Sequence, residues 1–223
     1  MKQSLIFDIE TAPLPIQTIK ALGIMPTFKA PANYKDPEKI KAKEAEHEAE
    51  VIERAALDPT IATICAIGYV NVDGTKDMFF GDEKTILIDF WGRVKEVVNR
   101  MHRLVGFNIC GFDLPFIIRR SWIHGIPVSD AIRRGRYWND NYVLDLAELW
   151  KLGNYGDSIS LDRLSKVLGI GQKSGSGKDF HKLLEEDREK ALEYLKTDLE
   201  LTFRLAQRLN IIHETPHPQE DFR

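Results

Sequence analysis

Residues 60–72, Thr-Ile-Ala-Thr-Ile-Cys-Ala-Ile-Gly-Tyr-Val-Asn-Val, constrain this chain more than any other stretch. A run so rich in β-branched side chains packs well only as a long strand. Asp73-Gly74 follows at once, a dipeptide suited to a hairpin turn, and residues 76–80 read as the returning strand. A sheet with an antiparallel pair is therefore expected. Residues 3–9 predict a first, buried strand, ended by Thr11-Ala12-Pro13-Leu14-Pro15 because proline cannot donate to a ladder.

Beyond the hairpin the pattern alternates. Asp82 caps a helix running to about His102, with Ile86, Phe90, Val94, Val97 and Val98 at helical spacing. A strand over 103–107 and a helix from Asp113 or Leu114 to near Gly125 follow, then a fifth strand over 142–146. A helix over 160–168 is closed by Gly169, and a last one runs from about 186 to 209. The expected class is α/β: a mixed five-stranded sheet flanked by helices. Residues 14–34 read mainly as loop. The charged, alanine-rich residues 36–57 predict a helix, with Pro37 in its first turn, inserted between strands 1 and 2. Its mixed charges, such as Glu46 and Glu50 with Arg54, suit a solvated helix. Residues 1–212 then form the domain, and 213–223 a flexible tail.

The 223 residues are 43% apolar, enough for a substantial core, and contain no long apolar run or signal-peptide pattern. No membrane association and a cytoplasmic location are the expectation. The net charge of −3 is not that of a protein that coats nucleic acid by bulk charge. Cys65 and Cys110 lack metal-ligand spacing and read as buried thiols.

Four carboxylates lie in three distant fragments: Phe7-Asp8-Ile9-Glu10, Asn108-Ile109-Cys110-Gly111-Phe112-Asp113 and Tyr194-Leu195-Lys196-Thr197-Asp198. Asp8 and Glu10, two apart on a strand, share a face and repel each other without a cation. Taken alone, the pair is better explained as a solvated strand end. Asp113 reads as a helix N-cap. Tyr194 and Asp198, four apart on a helix, share one face, and core packing with a solvated acid would account for them. If the fold unites the fragments, however, they offer the oxygen ligands that hard divalent cations prefer. A pair of such ions clamps the attacking and leaving oxygens of phosphoryl transfer.

Taken together, Asp-x-Glu on the first strand, Asn-x-x-x-Phe-Asp after the fourth and Tyr-x-x-x-Asp on the last helix resemble the three motifs of the DEDD 3'-5' exonucleases, which share the ribonuclease H-like fold. Tyr194, with Glu193 where a histidine would mark the other branch, is similar to the DEDDy branch. The Asn108–Asp113 fragment resembles that of the proofreading exonuclease domain of family B DNA polymerases and its stand-alone relatives. The resemblance spans residues 3 to about 209. It implies catalytic and metal-binding roles for Asp8, Glu10, Asp113 and Asp198, and two Mg²⁺ or Mn²⁺ ions. Asp8 would bridge both ions, Glu10 and Asp198 would complete the site that holds the attacking water, and Asp113 would serve the second ion through water. Tyr194 would orient that water while staying protonated. Asn108 and Phe112 would position the terminal nucleotide, and the product would be nucleoside 5'-monophosphates. The implied partner is the 3' end of single-stranded DNA, with RNA, or a non-catalytic nucleic-acid-binding module, as alternatives.

Further substrate contacts are expected from Arg119, Arg120 and Lys178. Arg119, Arg120, Arg133, Arg134 and Arg136 lie near Trp122, Tyr137 and Trp138, the composition of a single-strand groove. An exposed helix end with packed aromatics explains them as well. The Gly169–Lys178 stretch is no Walker loop, because Gln172 and Asp179 stand where that motif needs Gly and Ser or Thr. It reads as a flexible loop whose Lys173 and Lys178 could touch phosphate.

Overall fold

The computed structural model describes residues 4–30, 33, 35–71, 73–154, 156–173 and 180–212. Their core is one mixed five-stranded sheet with helices on both faces, as expected. Its strands are β1 (Ser4–Pro13), β2 (Ala62–Val70), β3 (Lys76–Phe80), β4 (Arg103–Gly106) and, after a small separate hairpin of β5 (Arg133–Arg134) and β6 (Tyr137–Trp138), β7 (Val143–Asp145). The order across the sheet is β3-β2-β1-β4-β7. β1, β2 and β3 pair antiparallel, while β4 and β7 run parallel to β1. The turn after β2 closes between Asn71 and Thr75: the Asn71 N–H donates to Thr75 O at 2.9 Å, the Gly74 N–H donates to Asn71 O at 3.0 Å, and Gly74 takes the left-handed position with φ 81°.

Strand alternation sorts side chains between two layers. Leu5, Phe7, Ile9, Ile67 and Tyr69 face α3 (Glu83–Asn99) and α4 (Asp113–Ile123). Ile6, Ala66 and Val70 face α8 (Arg188–Arg208) and the shorter α5 (Leu146–Lys151), α6 (Leu161–Val167) and α7 (Phe180–Glu186). Asp8 and Glu10 share the second face and stand opposite Gly68 and Ala66. A Cβ on Gly68 would lie 2.6 Å from Leu199 Cδ1 and 3.2 Å from Leu195, so its absence lets α8 approach the sheet. That approach brings Tyr194 and Asp198 to β1.

β1 outruns the predicted span of 3–9. β4 pairs only with Ser4–Ile6, so β1 beyond residue 6 has a ladder on one side alone. Pro13, with no N–H to donate, is tolerated on that open side. The register shifts between Glu10 and Thr11, a bulge beside the two acids. Between β1 and β2 the chain makes α1 (Ile16–Ala21), within the expected loop, and the expected charged helix, α2 (Pro37–Arg54), capped by the Asp36 side chain. α2 buries no residue, and a 3-10 turn (Ala55–Leu57) follows it. Ile19, Ala55 and Ile61 form a small satellite core beneath this excursion.

Four short elements were not expected: α1, α5, α7 and the β5–β6 hairpin. Cys65 and Cys110 are free and half-buried. No helix among the described residues is long and apolar enough to cross a membrane. The expected tail, 213–223, and most of the glycine-rich loop, 174–179, lie outside the described residues.

Candidate active site

Asp8, Glu10, Asn108, Phe112, Asp113, Tyr194 and Asp198 line one cleft of about 570 Å³. That volume falls within the range of small-molecule and cofactor sites, about 300–1,000 Å³. The cleft opens where β4 has ended and β1 continues, with α8 over one side and the start of α4 over the other. One carboxylate oxygen from each of Asp8, Glu10 and Asp198 lies within 4.8 Å of the others. Asp113 joins through Asp8, to which it is hydrogen-bonded, and its Oδ1 accepts from the Ile9 N–H at 3.1 Å. It is therefore no helix cap. Phe112 takes the cap position of α4 without a side-chain bond, and Asp113 spends its acceptor on β1. With the Asp8 contact, this bond ties the second fragment to the first across 104 residues.

The cluster is poorly neutralised. Burial, then the charge of Asp198, pushes the Asp8 carboxyl up to about 6. Burial with Asp8 and Asp198 raises Glu10 well above the carboxylate range, and burial with Asp8 does the same to Asp113. Asp198 is 2% exposed, and its Oδ1 has no hydrogen-bond partner among the described residues. Its Oδ2 accepts from Lys173 Nζ at 2.5 Å. Burial opposes the Lys173 charge, but Asp198, Asp8 and Glu10 outweigh it and hold the ammonium above its usual range. One lysine cannot neutralise four acids. Buried carboxylates that stay charged need partners or a metal, and an all-oxygen set suits a hard divalent cation. These residues fit such an ion.

Tyr194 is 6% exposed, and its hydroxyl lies beside Asp198 without a hydrogen bond of normal geometry among the described residues. Burial and Asp198 drive its ionisation well upward, so the phenol keeps its proton. Asn108, exposed, adopts φ 62°, and Phe112 packs on Phe116 with ring centroids 5.4 Å apart.

Residues 57–220 match the family model described as "Predicted 3'-5' exonuclease related to the exonuclease domain of PolB". The chain belongs to this family. The matched span of this PolB-related exonuclease contains the second and third fragments; Asp8 and Glu10 precede it, and the fold delivers them to the same cleft. A search of curated proteins finds no match. Among solved structures, the chain is similar to the family B DNA polymerase of the hyperthermophilic archaeon Pyrobaculum calidifontis, with TM-score 0.63 and 19% identity. The similarity covers 94% of this chain and 25% of the polymerase. It is a likeness of fold, that of the ribonuclease H-like exonuclease domain, and this chain spans about a quarter of that polymerase's length.

Not every expected contact of this exonuclease reaches the cleft. Arg119 is exposed on α4 and does not line it. Arg120 corrects its expectation. It is 5% exposed and donates from Nε and Nη2 to Glu83 at 2.9 and 2.7 Å, and from Nη1 to Pro59 O at 3.0 Å. A guanidinium so committed cannot meet a phosphate. Lys178 lies outside the described residues.

Asp145 was missed. It is 5% exposed and holds the loop bearing Asn108: it accepts from the Asn108 and Cys110 N–H groups at 2.8 Å each and from the Ala147 N–H at 2.9 Å. Asp145-Leu-Ala-Glu148 has the spacing of a capping box, and that signal was readable. Asp145→Ala should strip a charged acceptor from three N–H donors and cost about 2–3 kcal/mol. Urea unfolding measures that loss. Exonuclease activity should fall by roughly tenfold or more, since a small misplacement of positioning groups is costly. A variant as stable and active as the parent would refute this clamp.

Proposed function

We propose that this protein is a metal-dependent 3'-5' exonuclease that hydrolyses single-stranded DNA from its 3' end and releases nucleoside 5'-monophosphates. The observation that carries the reading is the convergence of Asp8, Glu10 and Asp198 within 4.8 Å, with Glu10 and Asp198 buried, Asp8 half-buried and the group short of positive charge. Asp8, Glu10 and Asp198 would hold two Mg²⁺ or Mn²⁺ ions, with Asp113 serving the second through water. Such ions lower the pKa of the attacking water and stabilise the leaving 3'-oxygen.

The chain's own residues do the rest. Tyr194, protonated, donates a hydrogen bond that orients the attacking water and is no base. Lys173 gives Asp198 a counter-charge and lines the cleft, where its ammonium would also donate to a phosphate oxygen. Asn108 and Phe112 position the terminal nucleotide, with the Phe112 ring against base or sugar. Ser160 and Asp162 also line the cleft.

The test uses 5'-labelled single-stranded DNA and RNA oligonucleotides with Mg²⁺ or Mn²⁺, with and without chelator. We expect a DNA ladder shortening from the 3' end, mononucleotide 5'-phosphates as product, and no cleavage in chelator. Cleavage of RNA alone would replace the substrate. Absence of cleavage of both strands with both metals would overturn the reading.

A further inference from the structure

We propose that the outer face of α4 and the β5–β6 hairpin form a second nucleic-acid contact surface, which holds a single strand several nucleotides upstream of the bond being cut. This rests on the exonuclease reading above. Phe112, Pro115, Arg119 and Trp122 follow one another at spacings of three and four, so they make one stripe along the helix. The stripe starts in the cleft, where Phe112 is a lining residue, and becomes exposed at Arg119 and at Trp122, which is 58% exposed. The hairpin meets its far end: the Arg133 guanidinium lies over the Trp122 ring, 6.0 Å from the centroid.

Beyond Trp122 the hairpin presents Arg134, Arg136 and Tyr137, all exposed, with the Tyr137 ring 63% open. Arg136 stands 4.9 Å from the Tyr137 ring centroid and donates to its hydroxyl at 2.6 Å. Arg133 pairs with Asp130, and Asp140 is the other carboxylate nearby in the chain. The guanidinium groups of Arg119 and Arg134 have no hydrogen bond or ion pair among the described residues.

Exposed aromatic faces are costly to leave in water. Guanidinium groups interleaved with them match a strand's alternation of base and phosphate. The distance also fits. From Asp113 to Trp122 the helix rises roughly 13–14 Å, about four nucleotides of a strand stacked at ~3.4 Å each. A 3' end in the cleft would therefore bring its upstream nucleotides to the hairpin.

The experiment compares the parent protein, the double variant Arg134→Glu, Arg136→Glu, its Arg134→Lys, Arg136→Lys counterpart, and Trp122→Ala. These side chains are exposed, and thermal melts check that folding is kept. Binding of fluorescein-labelled 20-nucleotide DNA and RNA is read by anisotropy in chelator, so it does not depend on cleavage. The glutamate variant should bind at least about tenfold more weakly, with a salt slope shallower by about 1.4 for two lost phosphate contacts on a single strand. The lysine variant should retain that slope, and Trp122→Ala should weaken binding about fivefold or more. The DNA and RNA arms show which sugar the surface accepts. Hydrolysis of a trinucleotide, too short to reach the hairpin, reports the cleft itself. In the glutamate variant the 20-mer should lose at least tenfold more activity than the trinucleotide. Unchanged binding of both 20-mers, or equal losses on long and short strands, would overturn the second surface. Failure to cleave even the trinucleotide, with hairpin-dependent binding intact, would overturn the nuclease reading alone.

Discussion

Asp8→Asn should abolish hydrolysis, lowering kcat by about 10³-fold or more, and yet make the protein more heat-resistant in chelator. The loss follows from removing an acid that would bind the ions: several kcal/mol of transition-state stabilisation depend on them, and each 1.36 kcal/mol is about a factor of ten in rate. The gain follows from the cluster. Burial and Asp198 push Asp8 from its ordinary 3.8 up to about 6. Between these values the folded chain holds a proton that the unfolded chain releases, so stability falls as pH rises from about 4 through 6 and stays low above. An amide carries no charge to bury, and its oxygen can still accept the hydrogen bond that the protonated Asp113 carboxyl donates to Asp8. Because Asp8 is partly open to solvent, the benefit is modest, about 1 kcal/mol, or about 2–4 °C in Tm for a chain of this size. Melting curves in EDTA should therefore separate parent and variant most at pH 8 and bring them together below pH 4. Saturating Mg²⁺ at pH 8 should reverse the order, because a ligand of the folded form stabilises it by mass action. A variant that melts below the parent at pH 8 in chelator would contradict the account of a charge-stressed site.

Arg120→Ala should be the most destabilising single change at the former substrate candidates, by about 3–5 kcal/mol, because it leaves Glu83 buried without its cation. Glu83 is 8% exposed and collects the Ile64 N–H at 2.7 Å, His124 Nε2 at 2.6 Å and two bonds from Arg120. Burial alone would raise its carboxyl, but the Arg120, Ile64 and His124 hydrogen bonds outweigh burial and hold it below the ordinary value. The contribution is present above the ordinary carboxylate pKa and is lost as pH falls through the lowered one. In guanidinium or urea titrations Arg120→Ala should lose its midpoint at neutral pH, whereas Arg119→Ala, on the exposed face, should stay within about 0.5 kcal/mol. Replacing Glu83 and Arg120 together by apolar residues of similar volume should recover most of the loss. If Arg120→Ala weakened strand binding with stability intact, the buried pair would not be its role.

These two arginines show what the sequence could and could not tell. The long elements were legible because their periodicity is strong: the β-branched run of β2, the Asp-Gly turn, the capped α3 and the last helix. The four acids and Tyr194 were legible as three spaced fragments, and the fold gathers all of them. Arg119 and Arg120 were not separable by composition. They differ by one helical step of about 100°, and the partner that draws Arg120 inward, Glu83, lies 37 residues away. Asp113 looked like a cap because local pattern offers that role to any acid before a helix, and the Ile9 N–H that claims it lies across the sheet. α1, α5 and α7 escaped notice because one or two turns carry too little periodicity to stand out, and they form where the core receives them. Asp145 shows the opposite case: a readable cap whose further task, gripping the Asn108 loop, needed the third dimension.

The excursion between β1 and β2 departs from the sheet at Leu14 and returns at Ile61, and the Leu14 N–H donates to Ile61 O at 2.9 Å. Its two ends are thus held at hydrogen-bonding distance by the sheet itself, so closing the loop costs little extra however long the intervening chain becomes. α2, with no side chain buried, shapes neither layer of the core. For protein engineering α2 is a graft port: a helix whose length and sequence can be exchanged, for a purification handle, a fluorophore or a targeting module, while Ile19, Ala55 and the anchored ends stay and keep the first acid pair in register.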